Sequence, residues 1–131
     1  MTEAEVRALV ETALSWDVHG AGLPAVEDAL STAQAFTSYG RILIDDLRTQ
    51  CLALADSDVA TRAQATLGEA SRRLHLLPLP TSASPRSAAQ RAQNLARLLR
   101  SLLRTVEQVH EARVLIMRSQ QGARTISKGT Q

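Results

Sequence analysis

Arg86, Arg97, Arg100 and Arg104 have the residue type and spacing most suited to chemistry in this chain. At about 100° per residue on a helix they fall within about 60° of one another, opposite Leu99 and Val106. A helix through them therefore turns a cationic stripe toward solvent, and guanidinium groups in a row can neutralise phosphates. Against a nucleic-acid surface stand Glu107 and Glu111, which interrupt the C-terminal end of the stripe. No aromatic side chain interleaves for base stacking, and no helix-turn-helix spacing is evident. The plainer reading is a solvated face that partly answers acidic residues elsewhere.

The other polar candidates do not assemble into a reaction. Asp45 and Asp46 are adjacent, and adjacent helical positions diverge by about 100°, so they cannot converge on one metal or substrate atom; one of them is expected to pair with an arginine. His75 and His110 belong to different elements. His110-Glu111 lacks the second histidine of a metalloprotease helix, since Val114 occupies the i+4 position. Gly20-Ala21-Gly22 follows a helical pattern instead of a strand and has no third glycine, so it is no dinucleotide fingerprint. No serine stands in a nucleophile elbow and no Walker loop is present. Cys51, the single cysteine, excludes an internal disulfide, and its place in an apolar stripe reads as a small buried hydrophobe. The expectation is a chain with no catalytic residue, no cofactor and no metal.

The elements that carry these residues follow from composition and period. A length of 131 residues suits one domain able to bury a core without staples. Trp16, Phe36 and Tyr39 are the only aromatics, whereas alanine and leucine together supply 40 residues. Both are strong helix formers, and no stretch alternates apolar and polar with β-branched enrichment, so no sheet is expected. Charge divides along the chain: Met1 to Asp58 has ten acidic and three basic residues, a net of −7, and Val59 to Gln131 has three acidic and twelve basic, a net of +9. Two halves of a bundle would attract one another, or one face would recruit an acidic partner. Fourteen of the fifteen basic residues are arginine, a bias that a GC-rich genome explains. Glu3 and Glu5 stand where a signal peptide needs positive charge, and no apolar run approaches the roughly 20 residues of a membrane helix. Cytoplasmic localisation, away from any membrane, is the expectation.

Thr2 and Glu5 have the spacing of a capping box, so a first helix begins at residue 3 with Val6, Leu9, Ala13 and Trp16 on one face. A loop over roughly 17–23 contains Gly20 and Gly22. Pro24 suits the first turn of a second helix, where Glu27 and Asp28 favour the dipole. Its stripe runs Val26, Leu30, Ala33, Thr37, Gly40, Ile44, Leu47, Cys51, Leu54. One helix of about 32 residues, roughly 48 Å, keeps that phase; the alternative is a break at Tyr39 and Gly40. Asp56, Ser57 and Asp58 stop it and cap a third helix, striped by Val59, Ala63, Leu67, Ala70, Leu74 and Leu77. Pro78 to Pro85 form a linker. Ser87 with Gln90 reads as a second capping box, and from Ala88 a stripe continues through Ala92, Leu95, Leu99, Leu102, Val106 and Val109, fading near Met117. The expected fold is an all-α antiparallel bundle of four helices, short, long, medium and long, over residues 1–118. The two long helices lie side by side, with a disordered tail over 119–131.

Three segments carry a resemblance: Gly40-Arg41-Ile42 in a long helix, Glu69-Ala70-Ser71-Arg72-Arg73-Leu74 ending a shorter one, and Ala92-Gln93-Asn94-Leu95-Ala96-Arg97 in the last. With the proline-containing linker and the opening from Val6 to Pro24, the chain over about residues 5–110 resembles an uncharacterised family of small helical proteins usually labelled natural-product biosynthesis proteins. It departs from that family at Arg41, where histidine is frequent, near Asp45, where a proline is, and at Thr105 and Val106, near a His-Tyr pair. The resemblance implies an accessory or regulatory role and brings no catalytic residue. The function expected is therefore non-enzymatic, through contacts with a protein partner, a second copy of the chain included. The alternative is a nucleic-acid-associated regulator using Arg97, Arg100 and Arg104.

Overall fold

The computed structural model describes residues 1–54, 57–75, 79, 80 and 83–129, the last eight as backbone alone. Four helices account for the architecture: α1 (Glu3–Leu14), α2 (Val26–Leu52), α3 (Asp58–Leu74) and α4 (Pro85–Gly129). Among the described residues there is no strand. The lengths of 12, 27, 17 and 45 residues give the expected short, long, medium, long order.

Local chemistry explains each start. The Thr2 hydroxyl accepts from the Glu5 backbone N–H at 3.2 Å, and the Glu5 carboxylate accepts from the Thr2 N–H at 3.0 Å, closing the capping box at α1. Ser57 caps α3 by accepting from the Ala60 N–H at 3.0 Å; Asp56, its companion in the sequence signal, lies outside the described residues. Two starts differ from the spacing. Ala25 is the N-cap of α2, so Pro24 stands outside the helix instead of in its first turn; Glu27 and Asp28 still fall in that turn, where they favour the dipole. At α4 the cap is Ser84, three residues before the Ser87-Gln90 pair: its hydroxyl accepts from the Ser87 N–H at 3.1 Å. Pro85 follows at the first helical position, where a residue with no N–H and a preset φ belongs.

α2 is continuous through Gly40 and ends at Leu52, shorter than its stripe suggests, with Leu54 buried in the following turn. A Cβ on Gly40 would stand 2.9 Å from Leu74 Cδ1 and 3.5 Å from Leu99 Cδ2. Glycine therefore lets α2 approach α3 and α4 closely, at a cost of roughly 1 kcal/mol relative to alanine inside a helix. Gly22, in the loop before α2, has φ +94°, a left-handed conformation that a side chain would oppose. Leu77, the last position of the α3 stripe, and Pro78 lie outside the described residues. The α4 backbone is helical to Gly129, past Ser119, where the fading stripe suggests a tail. Apolar periodicity tells how much of a helix is packed; arginine and glutamine there are good helix formers without it.

α2 and α4 make the most extensive contact, with α1 and α3 on either side of that pair; among the described residues α1 and α3 do not touch. Residues rising along α1 meet residues falling along α4, from Arg7 with Glu107 to Glu11 with Arg100, so these helices are antiparallel. α2 and α3 are antiparallel likewise, from Arg41 at Leu74 to Arg48 at Ser71. The core is aliphatic apart from Phe36, which with Leu47, Leu54, Leu74, Leu99 and Leu102 makes up its largest fully buried side chains.

Candidate functional site

Of the four arginines of the stripe, two are engaged by α1 and the segment that follows it. Arg100 Nη2 lies 2.8 Å from Glu11 Oε1 of α1, and Arg86 Nε donates to the Val18 carbonyl, beyond the end of α1, at 3.0 Å. Arg97 turns the other way, toward α3, with its Nη1 donating to Asn94 Oδ1 at 3.0 Å. Arg104 is exposed and has no partner among the described residues. The four do not form one continuous surface, because α1 lies along one flank of α4. Gln93 sits in the same angular sector, yet it is only 6% exposed.

Gln93 is a residue the helical pattern does not single out. Its Nε2 donates to the Ala13 carbonyl at 3.0 Å and the Trp16 carbonyl at 2.8 Å. The last carbonyls of a helix lack full intrahelical pairing, and the amide of α4 adds a donor to Ala13 in the last turn of α1, beside the Trp16 N–H, and to Trp16 just beyond it. The same device closes α3: Arg41 Nη2, from α2, donates to the Leu74 carbonyl at 3.3 Å, bringing a cation to a helix C-terminus. Each short helix therefore has its C-terminal end capped from a long one.

The acidic pair diverges as adjacency requires. Asp45 faces Arg48 at 3.9 Å, while Asp46 accepts from the Gln50 amide at 2.9 Å. His75 lies at the C-cap of α3, with Nδ1 2.6 Å from the Ser71 carbonyl, and His110 is exposed on α4. Among the described residues no three His, Cys, Asp or Glu side chains gather as metal ligands. Cys51 is 2% exposed, and burial pushes its thiol pKa up, away from the thiolate a nucleophile needs. Among the described residues no helix is long and apolar enough to cross a membrane.

Charge complementarity between the halves takes a mixed form. Among the described residues two ion pairs join α1 to α4: Arg100 with Glu11 runs from the basic half to the acidic one, but Arg7 with Glu107, at 2.9 Å, runs the other way. Local contacts therefore do not follow the overall charge division.

A concavity lies on the opposite flank of α4, where the end of α3 and Leu79 approach it. It is a half-open groove of about 580 Å³. Arg73 comes from α3; Arg91 and Arg97 come from α4, together with Gln90 and Asn94; Leu79 and Leu95 supply apolar surface. The α4 residues follow helical spacings of three and four, so they share one face. A smaller cleft of about 250 Å³ lies between α2 and α3, lined in part by Arg41, Asp45, Arg48 and His75. Sequence patterning did not bring out the larger groove, since Arg73 is 24 residues from Arg97 and only tertiary packing brings them together.

No curated protein and no solved structure matches the chain. A family model described as a family of unknown function, DUF6415, matches residues 4–111, covering α1 to α3 and the packed length of α4. By that match, over most of its length, the chain belongs to the DUF6415 family of unknown function.

Proposed function

We propose that this protein is a non-enzymatic helical module that acts through contacts with another protein, in an accessory or regulatory role. The observation that carries this reading is the apolar turn Val114-Leu115-Ile116-Met117 on α4. From His110 to Gln121 no residue of α4 is buried, and Leu115 and Met117 are 64% and 59% exposed. Consecutive helical residues point about 100° apart, so these side chains face several directions at once. A helix apolar on all sides is ordinarily enclosed, and a partner able to grip it would supply that enclosure.

The label carried by the resembling family supports a role beside natural-product biosynthesis. A nucleic-acid regulator has less to stand on, because Arg86 and Arg100 are engaged at α1.

The test is affinity capture from the native host with the wild type and with a Leu115→Ser, Met117→Ser double variant as baits. The reading expects a stoichiometric partner with the wild type and its loss with the variant, while circular dichroism stays the same. Light scattering of the purified protein shows whether that partner is a second copy. Absence of any partner, or one retained equally by the variant, overturns the reading.

A further inference from the structure

We infer that the side of α4 formed by Glu111, Val114, Leu115 and Arg118 docks against the same side of a second copy of this chain, the two helices running antiparallel about a two-fold axis between Val114 and Leu115. The inference rests on the reading of the apolar turn as a contact surface, and it names the partner.

Helical geometry defines the face. At about 100° per residue, Glu111, Val114, Leu115 and Arg118 fall within about 100° of one another, opposite the buried Leu102 and Val109. They therefore turn away from the bundle. Arg7 is level with Glu107, and α1 starts one turn earlier at Glu3, so α1 lies along this flank up to about Glu111 and leaves it open beyond. On the open part Val114 is half-buried and Leu115 is 64% exposed. Ile116 and Met117 point to other sides of α4 and take no part in this contact.

Charge chooses the occupant. Glu111 and Arg118 flank the two apolar side chains, and neither has a partner among the described residues. They stand seven residues apart, about 10 Å along the axis, too far to pair with each other in one helix. In a two-fold contact residue i meets residue j and j meets i. With the axis between Val114 and Leu115, Glu111 of each copy comes opposite Arg118 of the other, and Val114 of each opposite Leu115 of the other. An apolar centre is then flanked by two pairs of opposite charge. A parallel pair would set glutamate against glutamate and arginine against arginine, so the charge order selects the direction as well as the partner. A uniformly acidic or uniformly basic partner would satisfy one of the two charges and oppose the other.

The experiment is sedimentation equilibrium of the purified full chain at constant, near-physiological salt. Loading runs from about 10 μM to about 1 mM, where a contact smaller than a standard interface associates. A reversible equilibrium between monomer and dimer is expected. Glu111→Arg sets arginine against arginine at both pairs and is expected to weaken dimerisation at least about tenfold; Arg118→Glu does the same with glutamates. The double variant Glu111→Arg, Arg118→Glu exchanges the charges yet keeps the pattern self-complementary, so dimerisation is expected to return to near wild-type strength. Mixing the two single variants is expected to give a mixed dimer tighter than either variant forms alone. Leu115→Ser is expected to abolish association and Met117→Ser to leave it, with circular dichroism unchanged in every variant.

A wild type that stays monomeric over the whole range overturns the inference. So does a dimer indifferent to the single charge reversals, a double variant no stronger than the singles, or equal losses from Leu115→Ser and Met117→Ser. Failure here is distinct from failure of the contact surface itself: a monomer that still captures a foreign protein through Leu115 and Met117 removes the second copy and leaves the surface.

Discussion

The two sides of the α2–α4 pair are closed differently. On the α3 side, Gly40, Leu74 and Leu99 meet at close range, and α3 adds Leu67 to the buried set. On the α1 side the buried side chains are small, namely Val6, Val10 and Ala13. Polar contacts supplement them: the buried Gln93 amide and two exposed ion pairs. The contrast is visible in the ion pairs: on the α1 flank of α4, Arg100 and Glu107 reach across to Glu11 and Arg7, while on the other flank Arg73 pairs within α3, with Glu69. α1 lies along its flank, and α3 ends at Leu74, short of the first turns of α4.

The largest effect is expected where the close packing is centred. Leu99 is fully buried, so Leu99→Ala removes both transfer energy and filling, at a cost of about 2 to 5 kcal/mol. Arg100→Ala, one residue along and exposed, is expected to cost about 1 kcal/mol at most. Urea denaturation at unchanged slope measures both. Equal losses would mean that the division between packed and solvent faces of α4 is wrong.

Gln93→Leu asks how much the α1 side relies on one amide. Leucine conserves volume but leaves the Ala13 and Trp16 carbonyls without that donor, which predicts a loss of about 1 to 3 kcal/mol. Hydrogen exchange is expected to show α1 opening before α3 in this variant. An α1 as protected as in the wild type would show that Val6, Val10 and Ala13 hold it unaided.

Gly40→Leu makes the complementary test on the α3 side. Overpacking against Leu74 is expected to cost about 1 to 3 kcal/mol, offset by up to about 1 kcal/mol of helix propensity. If the chain is stabilised instead, the glycine does not set the approach of the helices.

Much of this arrangement could be read from spacing, and the remainder has a common cause. The Thr2-Glu5 box, the Ser57 cap and the unbroken phase of α2 are local facts, and the structure has each of them. So does the arrangement of the four helices, because amphipathic stripes of known length and short connections restrict how they can pack. Spacing alone sets the start of α4 three residues late, because two serines compete there and Pro85 favours the earlier one. Gln93 and the groove depend on neighbours far away in sequence. A wheel projection of α4 places Gln93 among its arginines and says nothing of α1 lying over it. Arg41 gives the same lesson, since its partner is a backbone carbonyl at the end of α3 that no side-chain pattern marks.

The smallest predicted effect concerns the ion pairs between α1 and α4. Arg7 and Glu107 have side chains 45% and 60% exposed, and Arg100 and Glu11 are 48% and 71% exposed, so water and salt screen both pairs. Exposed pairs are typically worth about 0 to 1 kcal/mol each. A Glu11→Gln, Glu107→Gln double variant is therefore expected to lose less stability than Gln93→Leu. The difference from wild type is expected to shrink toward zero near 1 M salt, where the Debye length is about 3 Å. Measuring wild type and variant together at each salt concentration cancels salting-out, which acts on both alike. A double variant less stable than Gln93→Leu, with a difference that persists in high salt, would place the hold on α1 in its charges and break the comparison between the two sides.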